Sequence, residues 1–162
     1  MSAGVVLALT VGRGLFVPSG APPSGSALAM VRVVDGDTLV MPTGQRVRLQ
    51  GIDAPELRQT CTRPDSTIWP CGREATAALA RLVTGGVACR IDGSDRYGRG
   101  LARCADRDGL DLGAAMVRQG WALAYYSYSY AYAWDELIAR FNRSGVWSGS
   151  FVRPSDFRRG AR

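Results

Sequence analysis

Residues 33–41 read V-V-D-G-D-T-L-V-M, an apolar and β-branched run broken in its middle by Asp35, Gly36 and Asp37. Strands disfavour Asp and Gly. Either the chain turns at this point, or a positive charge sits on the two carboxylates. The apolar residues on each side then belong to separate strands, Met30 to Val34 and Thr38 to Met41, and a third follows over Arg46 to Ile52. Between the last two, P-T-G-Q puts Pro42 and Gly44 where a tight turn takes them. Arg46, Arg48 and Gln50 alternate with Val47 and Leu49, the period-two pattern of a half-buried strand with one polar face.

Further along, Gly72 to Thr84 carries Ala75, Ala78, Leu79, Leu82 and Val83 on a helical stripe ended by Gly85. Strands are predicted at Val87 to Ile91 and Gly100 to Ala105. Two more helices are predicted, Leu110 to Gln119 stopped by Gly120 and Trp134 to Arg143 stopped by Gly145. No internal repeat is visible. Five short strands in meander order with about three helices predict a mainly β, α+β fold, a five-stranded OB-like barrel rather than a sandwich.

A chain of 162 residues suits one domain with a substantial core. All 20 basic residues are Arg, there is no Lys or His, and the formal charge is +6. Codon bias accounts for such a composition, and its chemical consequence is the same whatever the origin. An imidazole base, a Ser/His triad, a Schiff base and a His-containing metal site are all excluded. Acid and base work falls to Asp, Glu, Tyr or Cys, and the only glutamates are Glu56, Glu74 and Glu136. An all-arginine surplus suits a polyanionic partner, because planar guanidinium groups match phosphate oxygens in pairs.

Cys61, Cys71, Cys89 and Cys104 contain no C-x-x-C pair, which fits neither a zinc ribbon nor a thioredoxin motif. Cys89 and Cys104 lie on two predicted strands whose midpoint is the turn-rich G-S-D-R-Y-G, so an antiparallel hairpin sets them opposite each other. Cys61 and Cys71 bracket a short Pro-containing loop whose closure would contribute about 3 kcal/mol on a chain-entropy basis. Two disulfides are therefore expected ahead of four buried thiols, and with them an oxidising compartment.

Residues 1–29 read as a leader, either a signal peptide or a disordered segment. A short apolar run and A-L-A at 27–29 suit an exported chain, although Arg13 interrupts the run and no basic side chain precedes it. No stretch is long enough to span a bilayer. The domain is placed at 30–150, and residues 151–162 are read as a basic tail, either extending a phosphate-binding surface or simply solvated.

After Asp37 the next acids stand in G-I-D-A-P-E, where Asp53 ends a strand and Glu56 follows Pro55 into a loop. Carboxylates at the ends of adjacent strands are ligands for a hard divalent cation. Taken alone, D-G-D-T is more often a hairpin turn. It is joined, in order, by R-L-Q-G-I-D-A-P-E, D-R-Y-G-R-G, V-R-Q-G-W-A and G-V-W. At these residues, spanning about Met30 to Trp147, the sequence resembles the staphylococcal nuclease (thermonuclease) family.

That resemblance implies a five-stranded OB barrel with three helices and Ca²⁺-dependent hydrolysis of DNA and RNA between phosphorus and the 5′ oxygen. It makes Asp37, Asp53 and the main-chain carbonyl of Ala54 metal ligands, with Asp35 in the outer shell. On this reading Gly36 lets the backbone kink so that the metal can hold the acids around it. Glu56 matches the general base, and Arg48 and Arg99 match the pair that holds the phosphate as its charge grows. Arg96 and Tyr97 match positions near a terminal phosphate, and Tyr126 and Tyr128 match tyrosines of the nucleotide pocket. Tyr130 and Tyr132 read as packing residues, and Trp121, Trp134 and Trp147 as packing anchors. The leading expectation is an exported, monomeric nuclease acting on DNA and RNA, preferentially single-stranded, with no membrane partner. The alternatives are a non-catalytic nucleic-acid or protein-interaction module on the same fold, and a small disulfide-bonded structural domain.

Overall fold

The interruption at 35–37 is a hairpin connection. Arg32–Val33 (β1) and Thr38–Val40 (β2) pair antiparallel, Arg32 opposite Val40, and the Val34 N–H closes the connection on the Thr38 carbonyl at 2.9 Å. The Asp35 carboxylate accepts the Asp37 N–H at 3.0 Å, an Asx turn that substitutes for a strand partner. Gly36 does not kink the chain through a positive φ. A Cβ there would lie 2.7 Å from the Ala54 Cβ and 3.1 Å from the Ala75 Cβ, so the glycine is required by close packing instead.

This computed structural model describes residues 27–161. The expected leader lies outside the described residues up to residue 26. From Ala29 the chain is already paired, its N–H and carbonyl exchanging hydrogen bonds of 2.8 and 2.9 Å with Val87.

One five-stranded sheet carries the core. Arg46–Leu49 (β3) pairs antiparallel with β2 and parallel with Gly100–Asp106 (β8), which pairs antiparallel with Val87–Ser94 (β7), giving the order β1-β2-β3-β8-β7. Ala29, ahead of β1, forms an isolated antiparallel bridge with Val87 of β7. The fold is thus α+β with a mainly sheet core.

The predicted Arg46 to Ile52 strand is divided. Gly51 takes φ +81°, and Ile52–Asp53 leaves the sheet as a short β4 paired antiparallel with Leu123–Ala124 (β9). The turn carries Asp53 away from the plane that holds Arg48. Cys61–Thr62 (β5) and Ile68–Trp69 (β6) form a small hairpin. The three predicted helices are present as Cys71–Leu82 (α1), Leu112–Arg118 (α2) and Ala133–Phe141 (α3). A fourth, Pro154–Arg158 (α4), lies within the segment read as a tail.

The main core contains Leu39, Val47, Leu49, Ile52, Leu79 and Met116, all buried. Burying each such side chain contributes about 1.5–3 kcal/mol. A smaller cluster around Cys61, Cys71, Trp69 and Val146 packs against Trp121, Trp147 and Phe151. Both expected disulfides are formed, Cys61–Cys71 and Cys89–Cys104, and no cysteine is free among the described residues. Tyr132 is buried and donates to Asp111, whose carboxylate also caps α2 at the Ala114 N–H. Trp134 is not a packing anchor, being 68 % exposed on α3, and Tyr130 is 76 % exposed. Among the described residues no helix is long and apolar enough to cross a membrane.

Gly72 at the start of α1 leaves room for the loop below it, since a Cβ there would sit 1.8 Å from the Glu56 carbonyl oxygen. Backbone cannot yield as a flexible side chain does, so Gly72→Ala is expected to destabilise the fold by about 2–3 kcal/mol, read as a lowered midpoint in urea unfolding.

Candidate active site

Arg48 projects from β3 between two acids. Its Nη1 donates to Asp37 Oδ1 at 2.8 Å and its Nη2 to Asp53 Oδ1 at 3.0 Å. Asp37 starts from the β1–β2 turn and Asp53 from β4, so three separately positioned segments meet at one guanidinium. Both acids are nearly inaccessible, at 3 % and 4 % exposure. Asp37 also accepts from the Thr38 hydroxyl at 3.1 Å and the Ala54 N–H at 3.2 Å. The chain therefore turns at the D-G-D stretch, and of its two carboxylates Asp37 carries a cation.

Burial pushes the Asp37 carboxyl up to about 7, against the pull of Arg48, with Asp35 and Asp53 adding to the rise. Burial also works against the Arg48 cation, but Asp37 and Asp53 outweigh it and hold the guanidinium charged. Among the described residues no three acidic side chains converge on one point. The donor set is two buried carboxylates with Ala54 between Asp53 and Pro55, all hard oxygen donors. It suits a divalent cation whose shell is completed by water and phosphate.

Asp37 and Arg48 open onto a cleft of about 1180 Å³, also lined by Asp35, Ala54 and Glu56. Arg46, Arg48, Arg96, Arg99, Arg158 and Arg159 also line it, an arrangement that concentrates positive potential on a polyanion. Arg99 is held by Asp95, whose Oδ2 accepts its Nε at 2.7 Å while Oδ1 accepts the backbone N–H groups of Tyr97 and Arg99. Burial raises the Asp95 carboxyl, and these hydrogen bonds more than offset it, leaving it below the ordinary value. The Arg96 and Arg99 guanidinium groups lie 4.9 and 5.8 Å from the Tyr97 ring centre.

Of the predicted metal and catalytic residues, Asp35, Asp37, Arg48, Ala54, Glu56 and Arg99 line this cleft. Asp53 is set back: its two oxygens are taken by Arg48 and by Arg158 of α4. Of the two predicted pocket tyrosines, Tyr128 lines the cleft, as does Tyr125. Tyr126 packs on Tyr130 at 5.5 Å between ring centres, and its phenol is raised by burial first and then by Glu136.

Besides Tyr125, two participants escaped sequence reasoning. Asp95 stands four residues before Arg99 in D-R-Y-G-R-G, and an aspartate opening a turn in front of an arginine was a usable signal. Arg158 donates from Nη2 to both Asp53 oxygens at 2.9 and 3.1 Å, and from Nη1 to Glu56 Oε1 at 2.8 Å. Burial opposes this cation, while Glu56 and Asp53 outweigh it and hold it charged. Pro154 at the first helical position was the one local sign of α4.

The family profile described as "Staphylococcal nuclease homologue" matches residues 46–149. The chain belongs to the staphylococcal nuclease family. Among curated relatives, the chain is 37 % identical over 125 residues to an "Uncharacterized endonuclease" of Escherichia coli O157:H7, covering 74 % of this chain and 75 % of that one. It is 34 % identical over 123 residues to the "Probable staphylococcal-like nuclease CAN1" of Oryza sativa subsp. japonica, covering 72 % of this chain and 33 % of the relative. It is also 32 % identical over 123 residues to the "Succinoglycan biosynthesis protein ExoI" of Rhizobium meliloti, covering 74 % and 64 %. The chain thus spans under two thirds of two of these relatives. The family profile and the two relatives whose names describe nucleases support a nuclease function in general.

Proposed function

We propose that the protein is a Ca²⁺-dependent nuclease that hydrolyses DNA and RNA phosphodiesters, breaking the bond between phosphorus and the 5′ oxygen. The observation that carries this is the convergence of Asp37, Glu56, Arg48 and Arg99 on one arginine-lined cleft, with Asp53 hydrogen-bonded to Arg48. Asp37, Asp53 and the Ala54 carbonyl would hold the calcium, with Asp35 in the outer shell. Bound there, calcium would supply positive charge to the phosphate as it becomes more negative.

The remaining chemistry belongs to the chain's own groups. Arg99 is fixed through Nε by Asp95, so its outer nitrogens are oriented toward the cleft before substrate arrives. They stabilise charge growing on the phosphate oxygens. Glu56, half-exposed at the cleft wall, is the group to take a proton from the attacking water, there being no histidine in the chain. Tyr125 and Tyr128 offer rings to bases at the cleft edge, which favours single strands, whose bases are free to stack.

The same reading includes an OB-type barrel closed at Ala29–Val87, a monomer, and export to an oxidising compartment; the two disulfides support the last of these. The purified protein is expected to cut single-stranded DNA in calcium and to stop when chelator is added. Binding of DNA without cleavage at any calcium concentration would overturn the nuclease reading in favour of an interaction module.

A further inference from the structure

Helix α4 is built onto the site. Its first residue, Pro154, is buried, and the chain leading to it is tied down twice. Ser150 exchanges two hydrogen bonds of 2.9 Å with Thr62 beside the Cys61–Cys71 disulfide. The Val152 carbonyl accepts from Gln59 Nε2 at 2.6 Å. Gln59 is 1 % exposed, and its Oε1 accepts the Glu56 N–H at 3.2 Å. One buried amide therefore holds the Glu56 loop and the C-terminal segment in fixed relation, and Arg158 meets Asp53 and Glu56 as a consequence of that frame.

We propose that Arg158 sets the metal affinity of the site, acting as a built-in counter-cation that a divalent ion must displace from Asp53. This rests on the calcium reading above. Asp53 Oδ1 is shared by Arg48 and Arg158, and Oδ2 is taken by Arg158. A cation that binds Asp53 directly needs the lone pairs the Arg158 guanidinium occupies. Arg48 competes at Oδ1, where it also bridges to Asp37, and leaves Oδ2 free, so Arg158 is the competitor at Oδ2. Its side chain is 39 % exposed on a surface helix, and its long stem can swing away while Pro154 and Val152 stay anchored.

The sign of the effect separates this from a merely structural role. Damage to the site loosens a metal, whereas removal of a competitor tightens it. Three charge-assisted hydrogen bonds, partly screened by solvent, correspond to roughly a tenfold effect. Calcium chloride titrated calorimetrically into wild type, Arg158→Ala and Arg158→Gln, without nucleic acid, is expected to give a Kd roughly tenfold lower in both variants. Thermal unfolding run alongside verifies that each variant is folded; the glutamine variant retains part of the stem should the alanine variant not fold. If wild type binds calcium and neither variant binds it more tightly, the role of Arg158 is refuted and the calcium reading stands. Binding by the variants where wild type shows none supports the displacement outright. If no form binds calcium, the calcium reading fails and takes this proposal with it.

Discussion

Arg99→Ala is expected to lower kcat on single-stranded DNA by about 10³-fold while leaving the unfolding midpoint nearly unchanged. The resemblance treats Arg48 and Arg99 as a pair, but the geometry gives them different work. Both Nη groups of Arg48 are engaged by buried carboxylates. Arg99 spends only its Nε on Asp95, and its Nη1 makes one long contact of 3.5 Å to the Thr38 hydroxyl. Its Nη2 has no hydrogen-bond partner among the described residues, so its donors are available to a phosphate. Arg99 lies in the β7–β8 connection, outside both hydrophobic clusters, so truncation removes little packing. Initial rates at saturating calcium, with thermal unfolding as the control, check this. A raised KM with kcat unchanged would show instead that Arg99 contributes equally to substrate and transition-state binding.

That difference between two arginines was beyond the reach of the sequence, and the reason is instructive. Elements with a strong local pattern were legible: the alternation over Arg46 to Leu49, the apolar stripe of α1, and the hairpin symmetry that sets Cys89 opposite Cys104. Residues placed by long-range contacts were not. Helix α4 has five residues and too few turns for an amphipathic period. It is held by Gln59, whose amide reaches Val152 across 93 positions. Tyr125 and Tyr126 are neighbours in a run of tyrosines, and β4–β9 pairing decides which of them lines the cleft, the Tyr125 N–H donating to the Gly51 carbonyl at 2.9 Å. Trp134 reads as an anchor by its size, yet α3 buries Glu136 and Ala139 instead. Glu136 goes inward because its carboxylate accepts the Ala124 N–H at 2.7 Å, tying α3 to β9.

Arg48→Met is expected to cost about 2–3 kcal/mol of stability in chelator, and calcium is expected to restore part of it. Methionine retains much of the arginine stem's packing and removes its charge, so the loss reports electrostatics. Asp37 would keep only the Thr38 hydroxyl and Ala54 N–H, while Asp53 keeps Arg158. Breaking a buried ion pair typically costs about 3–5 kcal/mol. The expected figure is lower because Arg48 retains 17 % side-chain exposure and because Asp37, already raised by burial, can take up a proton in place of its lost partner. Calcium binding to the folded state adds stability as its concentration rises above Kd. With the guanidinium gone from between Asp37 and Asp53, that gain should be larger in the variant than in wild type. Urea unfolding of both proteins, in chelator and in millimolar calcium, measures the four quantities required. Equal gains in the two proteins would mean that the cation is held somewhere other than on the acids Arg48 now bridges, and the assignment of Asp37 and Asp53 as its ligands would have to be given up.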